Sequence, residues 1–267
     1  MNLGQPEFQS NAFMTPHLPI LKLALVITTL LAVAVLSSGQ DAGVLTAKKP
    51  YVRTGHEATL SGAITFTGKR PKTLRIDTSA DPVCDEVNPS LTTEGVVANK
   101  RQLANVFIYV KSDSLSAYTF EQPATPAALE HKGCRYVPHV LGMRVGQPLT
   151  IFNSDPTVHN THPTPRINKE WNQSQPPDST AIRVAFDHAE FYVPFKDNQH
   201  PWEKAYVGVF DHPFFAVSDE LGNYRIEGLP PGQYTVVAWH ERFWEKTVEI
   251  TFVPGEARDL SFTFDAK

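Results

Sequence analysis

The chain has 267 residues, a formal net charge of −4 and 10% aromatic residues. A mildly acidic chain without a basic run excludes a nucleic-acid partner, whose phosphates demand clustered Lys and Arg. Moderate charge and plentiful aromatic residues exclude disorder and provide for a packed core.

Residues 23–36 form the first apolar block, with Lys22 ahead of it and Ser37, Ser38 and Gly39 behind. The block is too short to cross a bilayer comfortably, and small residues follow it, so residues 1–40 read as a cleaved signal peptide. An uncleaved anchor is the alternative and the only expected membrane contact. Met14 would open a conventional signal, which makes 1–13 an over-extended start. Cleavage removes Glu7 and Lys22 and leaves the net charge at −4. The expected location is periplasmic, secreted or associated with the cell envelope.

Period-two alternation dominates the chain beyond this block. Ala58, Leu60, Gly62, Ile64 and Phe66 share one face, and Thr59, Ser61, Ala63, Thr65 and Thr67 the other. Similar runs recur at 106–110, 149–152, 182–186, 190–195, 205–210, 223–226, 234–240, 247–252 and 260–264. Twenty-two prolines and fifteen glycines punctuate them, and no stretch has the periodicity of a long amphipathic helix. Many short strands with frequent turns predict an all-β chain of sandwiches or barrels. Residues 153–181, rich in Pro, Asn and Gln, read instead as a long surface loop.

Cys84 and Cys134 are the only cysteines. An even count in an exported chain favours a disulfide over two unpaired buried thiols. Closing that loop stabilises the fold by about 4 kcal/mol on the chain-entropy estimate.

Near the carboxy terminus, Asp219, Gly222, Tyr224, Ile226, Leu229, Pro231, Gly232 and Tyr234 fit a D-x-x-G-x-[FY]-x-[IL]-x-x-[LI]-x-P-G-x-Y pattern. This resembles carboxypeptidase regulatory-like domains, which are transthyretin-like β-sandwiches. The opening strands of such a module stand far upstream, as LSGAITFTG and ANVFIYV. Between them and the carboxy-terminal pattern lies YVPHVLGMRVGQPLTIFNSDPTVHN, followed by FYVPFKDNQHPWEKAYVGV. These stretches resemble the cupredoxins. The resemblance implies that His159 and His200 occupy the two histidine positions of a copper site.

The same resemblance implies a Cys three residues before His200 and a Met three residues after it. Asp197 and Glu203 stand there instead. Blue copper depends on a thiolate donor, so a blue-copper electron carrier is not expected. His159, His162, His200, Asp197 and Glu203 remain as N/O donors suited to Cu(II) or Zn(II). The alternative is that the two histidines are remnants kept for hydrogen bonding. His139, His212 and His240 read as satisfied polar side chains. Trp239 and Trp244, with Phe243, either present a surface for sugar or protein partners or close the core.

No G-x-S-x-G, H-E-x-x-H, phosphate-loop or dinucleotide motif occurs. The expected architecture is a transthyretin-like sandwich, 41–133 and 213–267, with a cupredoxin-like sandwich, 134–212, inserted in it. The expected function is non-catalytic binding at the cell envelope, to an envelope protein or a carbohydrate, with or without a non-blue Cu(II) or Zn(II) ion held by His159 and His200. Two alternatives stay open: a copper electron-transfer protein with an unusual ligand set, and a metal-assisted enzyme with Glu203 as base.

Overall fold

The computed structural model describes residues 47–266, so the segment read as a signal peptide lies outside the described residues. Among the described residues no helix is long and apolar enough to cross a membrane. Strands dominate, with one short α-helix, Pro82–Val87, and one 3₁₀ turn, Asp113–Ala117, among the described residues.

The longest strand, Ala58–Gly68, buries Ala58, Leu60, Ile64 and Phe66, as alternation predicts. It pairs antiparallel with Asn223–Leu229 and parallel with Ala257–Asp259 and Phe262–Ala266. Gln102–Leu103 and Ala98–Asn99 extend this sheet. A second sheet runs Phe215–Val217, Phe107–Lys111, Gly232–His240, Trp244–Phe252. The two enclose one apolar core in which Leu60, Ile64 and Phe264 meet Ile108, Val110 and Val236. In the turn before Asn223–Leu229, Asp219 Oδ1 accepts the amides of Leu221 and Asn223, and Gly222 takes φ +76°. That is the physical content of the D-x-x-G pattern: an Asx turn followed by a left-handed residue.

Residues between these two groups of strands build a second sandwich. One sheet runs Ile182–Val184, Leu149–Asn153, Ala127–His131, Tyr136–Val137. The other runs Gln173–Gln175, His159–Pro163, Glu190–Lys196, Lys204–Phe210, Val140–Arg144. Leu129, Leu149 and Ile151 pack against Val193, Phe195 and Val207 between them. Ala127–His131 lies ahead of Cys134, where the sequence places the start of the insertion, yet it pairs in register with Leu149–Asn153.

One expectation is corrected, and one pair of alternatives is decided. The interval 153–181 is not one loop, because it contains the strands His159–Pro163 and Gln173–Gln175. Their alternation is hidden because the inward positions carry polar side chains: His159, Thr161 and Gln175 are all buried. Trp239 is not a surface residue, being 3% exposed. It sits in an aromatic layer between the sandwiches, 4.4 Å from the Tyr192 ring and 5.5 Å from that of Phe191. Trp244, at the hairpin end, is 65% exposed.

Candidate metal centre

Cys84 and Cys134 form a disulfide with a Cα–Cα distance of 5.6 Å, and both are fully buried. Beside it, a cluster of histidines and carboxylates fills one end of the inner sandwich. Three pieces of chain supply it. His159–Pro163 turns His159 and Thr161 inward by period-two alternation. The segment between Glu190–Lys196 and Lys204–Phe210 carries Asp197, His200 and Glu203 at three-residue intervals. Ala127–His131 delivers His131 from the opposite sheet.

Asp197 organises its own loop. Its Oδ1 accepts the amides of Gln199 at 2.7 Å and His200 at 2.9 Å, which returns the chain toward the cluster. Its Oδ2 lies 3.0 Å from His159 Nδ1 and 3.1 Å from His200 Nδ1. Glu203 Oε1 lies 3.0 Å from His159 Nδ1 and 3.7 Å from His200 Nδ1. Its other oxygen, Oε2, lies 2.9 Å from His131 Nδ1. The His131 and His159 rings stack, 4.5 Å apart and 10° from parallel. Asp197, His159, His200 and Glu203 therefore converge.

Glu203 Oε1 is buried and accepts no hydrogen bond, although it stands 3.0 Å from His159 Nδ1. These observations agree, since the single Nδ1 proton is directed at Asp197 Oδ2 and cannot serve both oxygens. Separations of 3.0 to 3.7 Å between the two Nδ1 atoms and the facing carboxylate oxygens suit a small cation. Tetrahedral bonds of about 2.1 Å place their donors about 3.4 Å apart.

Electrostatics explains how the charges coexist. Burial opposes a charge on His159, but hydrogen bonds to Asp155 and Asp197 and the negative charge of the adjacent Glu203 outweigh it and push its pKa up to about 11. Burial likewise opposes charge on His200, and Asp197 and Asp81 raise its pKa. Burial works against the Asp197 carboxylate too. His159, His200 and the backbone amides nevertheless hold it well below the usual range. A divalent cation replacing the two Nδ1 protons leaves the local charge unchanged.

Among the residues expected as ligands, His162 is corrected. It lies an odd number of positions from both His159 and Thr161, and its ring pairs with Glu170 and Asn198, away from the cluster. His131 was missed by sequence reasoning, although the buried–exposed alternation of Ala127–His131 points it inward. Asp81 and Asp155 were missed as well: His200 Nε2 lies 3.0 Å from Asp81 Oδ2, and His159 Nε2 lies 3.1 Å from Asp155 Oδ2. Met143, the sole methionine among the described residues, is buried in the inner core.

Residues 196–265 match the family model for the carboxypeptidase regulatory-like domain. No curated protein matches the chain. Similar solved structures include a point mutant of amicyanin in the Cu(I) form, at 21% identity over 34% of this chain and 87% of that one, TM-score 0.29. A purple cupredoxin from Nitrosopumilus maritimus matches at 20% identity over 32% of this chain and 99% of that one, TM-score 0.28. A Cu-containing nitrite reductase from Thermus scotoductus SA-01 matches at 17% identity over 38% of this chain and 27% of that one, TM-score 0.27. Likeness at that level bears on no residue of the site. The described residues are nearly all β, with a region similar to the carboxypeptidase regulatory-like domain spanning the last strand of the inner sandwich and the closing strands of the outer one.

Proposed function

We propose that this is an exported, non-catalytic binding protein of the cell envelope whose inner sandwich holds one divalent cation, Cu(II) or Zn(II), in a non-blue N/O site. The observation that carries this reading is Glu203 Oε1, a buried carboxylate oxygen without a hydrogen bond at 3.0 Å from His159 Nδ1. A buried polar atom left unpaired is costly, and a cation shared with the imidazoles relieves that cost. His159, His200, Asp197 and Glu203 would hold the ion, with His131 as a further donor.

Hard oxygen donors with imidazoles suit Cu(II) or Zn(II) and disfavour Cu(I). Burial supports holding over hydrolysis: His159 is 0% exposed, Glu203 1% and His200 3%, which leaves a substrate no approach. Export is supported by the apolar block 23–36 with the small residues behind it, and by the disulfide.

The test is metal analysis of tag-free full-length protein after exposure to Zn(II) or Cu(II) and dialysis. One equivalent retained by the wild type and lost in the His159→Ala/His200→Ala double variant is expected. Equal metal content in the two proteins would remove the site.

A further inference from the structure

The imidazoles of His159 and His200 are also gripped from their outer nitrogens, and both grips lead to the disulfide. His200 Nε2 meets Asp81 Oδ2 at 3.0 Å, and His159 Nε2 meets Asp155 Oδ2 at 3.1 Å. Asp81 caps the helix that carries Cys84, its Oδ1 accepting the Val83 amide at 2.9 Å. Asp155 is cradled by the Cys134 side of the bridge: its Oδ2 accepts the Cys134 amide at 2.8 Å and its Oδ1 the Gly133 amide at 2.7 Å. Ligand atoms of Asp81, Cys84 and His200 lie within 4.8 Å of one another, as do those of Cys134, Asp155 and His159. The disulfide thus joins two equivalent triples, each a cysteine, a carboxylate and an imidazole.

We infer that Asp81 and Asp155 are positioning residues of the centre, and that the Cys84–Cys134 disulfide holds the two carboxylates in place, so that cation affinity depends on the bridge. The inference rests on the proposed cation site. A carboxylate on Nε2–H fixes the tautomer that leaves Nδ1 as the donor, fixes the ring, and raises its basicity. Without the bridge, the helix with Asp81 and the turn with Cys134 lose their covalent tie and keep only the hydrogen bond from Asn88 Nδ2 to the Gly133 carbonyl, 2.9 Å. The two imidazoles then lose their common frame.

Asp81→Asn is the cleaner of the two variants, because Asn caps a helix as well as Asp does; it removes the charge facing His200 and alters the oxygen that also accepts the Thr157 hydroxyl at 2.7 Å. Zn(II) affinity, measured by competition with a chromophoric chelator, is expected to fall about 10- to 100-fold in Asp81→Asn and in Asp155→Asn. With Cu(II) bound, pulsed EPR should show an altered quadrupole coupling of the remote imidazole nitrogen in both, a signal that loss of stability alone does not move. Cys84→Ser/Cys134→Ser, checked for folding by circular dichroism, should lose at least as much affinity as either. Asn variants with wild-type affinity and wild-type remote-nitrogen coupling would overturn the inference and leave the proposed site standing. A folded serine pair with wild-type affinity would overturn the part assigned to the bridge. A wild-type chain that takes up neither Zn(II) nor Cu(II) would overturn the proposed function and this inference with it.

Discussion

His159 Nδ1 and Glu203 Oε1 stand 3.0 Å apart in the buried end of the inner sandwich, yet no hydrogen bond reaches that oxygen. If a cation belongs between them, Glu203→Gln removes an anionic donor while conserving shape. Zn(II) affinity is then expected to fall by at least about 100-fold, the upper end of what carboxylates behind the ligands contribute. An unchanged chelator-competition curve would assign Glu203 to the hydrogen-bond network alone.

The position of Asp197 allows the missing chemistry to be installed. Asp197 Oδ2 lies 3.0 and 3.1 Å from the two Nδ1 atoms, and two backbone amides support Oδ1. Those amides would stabilise a thiolate as they do the carboxylate. Asp197→Cys is expected to give an intense Cu(II) absorption at about 600 nm that the wild type lacks, because only the variant supplies a thiolate donor. An intense blue band in wild-type protein would contradict the hard-donor reading.

Metal-free stability should carry the mark of His159. Its pKa rises from 6.5 to about 11 on folding, because three carboxylates outweigh burial. The sign follows: its contribution is complete below 6.5 and drains away as pH climbs toward 11. The melting-temperature gap between chelator-treated wild type and His159→Gln should be widest at about pH 6 and narrow by about pH 10. Asp197, held below the ordinary carboxylate range by its imidazole and amide partners against burial, acts in the opposite direction and loses its contribution in acid. A gap independent of pH would show that His159 is uncharged in the metal-free protein.

The disulfide closes a sequence separation of 50 residues, which corresponds to about 4 kcal/mol of chain entropy. For a chain of this size that predicts a melting temperature lower by about 8 to 16 °C in metal-free, reduced protein. Proteolysis should then begin in the inner sandwich, to whose base Cys134 is tied. Protease resistance unchanged by reductant would speak against this role.

The two sandwiches meet where glycine is required. Gly142 and Gly208 face each other across paired strands, and a Cβ on Gly208 would lie 2.7 Å from the Phe107 ring. Gly208→Ala is expected to destabilise by about 1–3 kcal/mol through overpacking. Chemical denaturation would measure it, and a Phe107→Leu partner substitution should recover part of the loss.

Much of the architecture was legible in the order of residues alone. Alternation in 58–67 named the buried face of the longest strand because an apolar core selects every second side chain. The D-x-x-G spacing fixed a turn because it is a local hydrogen-bond pattern. The pairing of two cysteines followed from their number. His159, His200, Asp197 and Glu203 were recognisable as a group from the spacing inherited with the resemblance.

Tertiary structure decided what depends on distant segments or on a polar interior. His159–Pro163 escaped recognition because its inward side chains are hydrogen-bonded rather than apolar, and periodicity in hydropathy is blind to such a strand. His162 was grouped with His159 by proximity in sequence, while the pleat sends its ring to Glu170. His131 reaches the site from the opposite sheet and Asp81 from the cap of a helix more than a hundred residues away from His200, positions that only the sheet order and the disulfide bring together, while Asp155 reaches His159 from the connection four residues before it. Sequence determined which donors exist and that no free thiolate is among them. The fold decided which imidazole nitrogens face one another, because that depends on the carboxylates behind them.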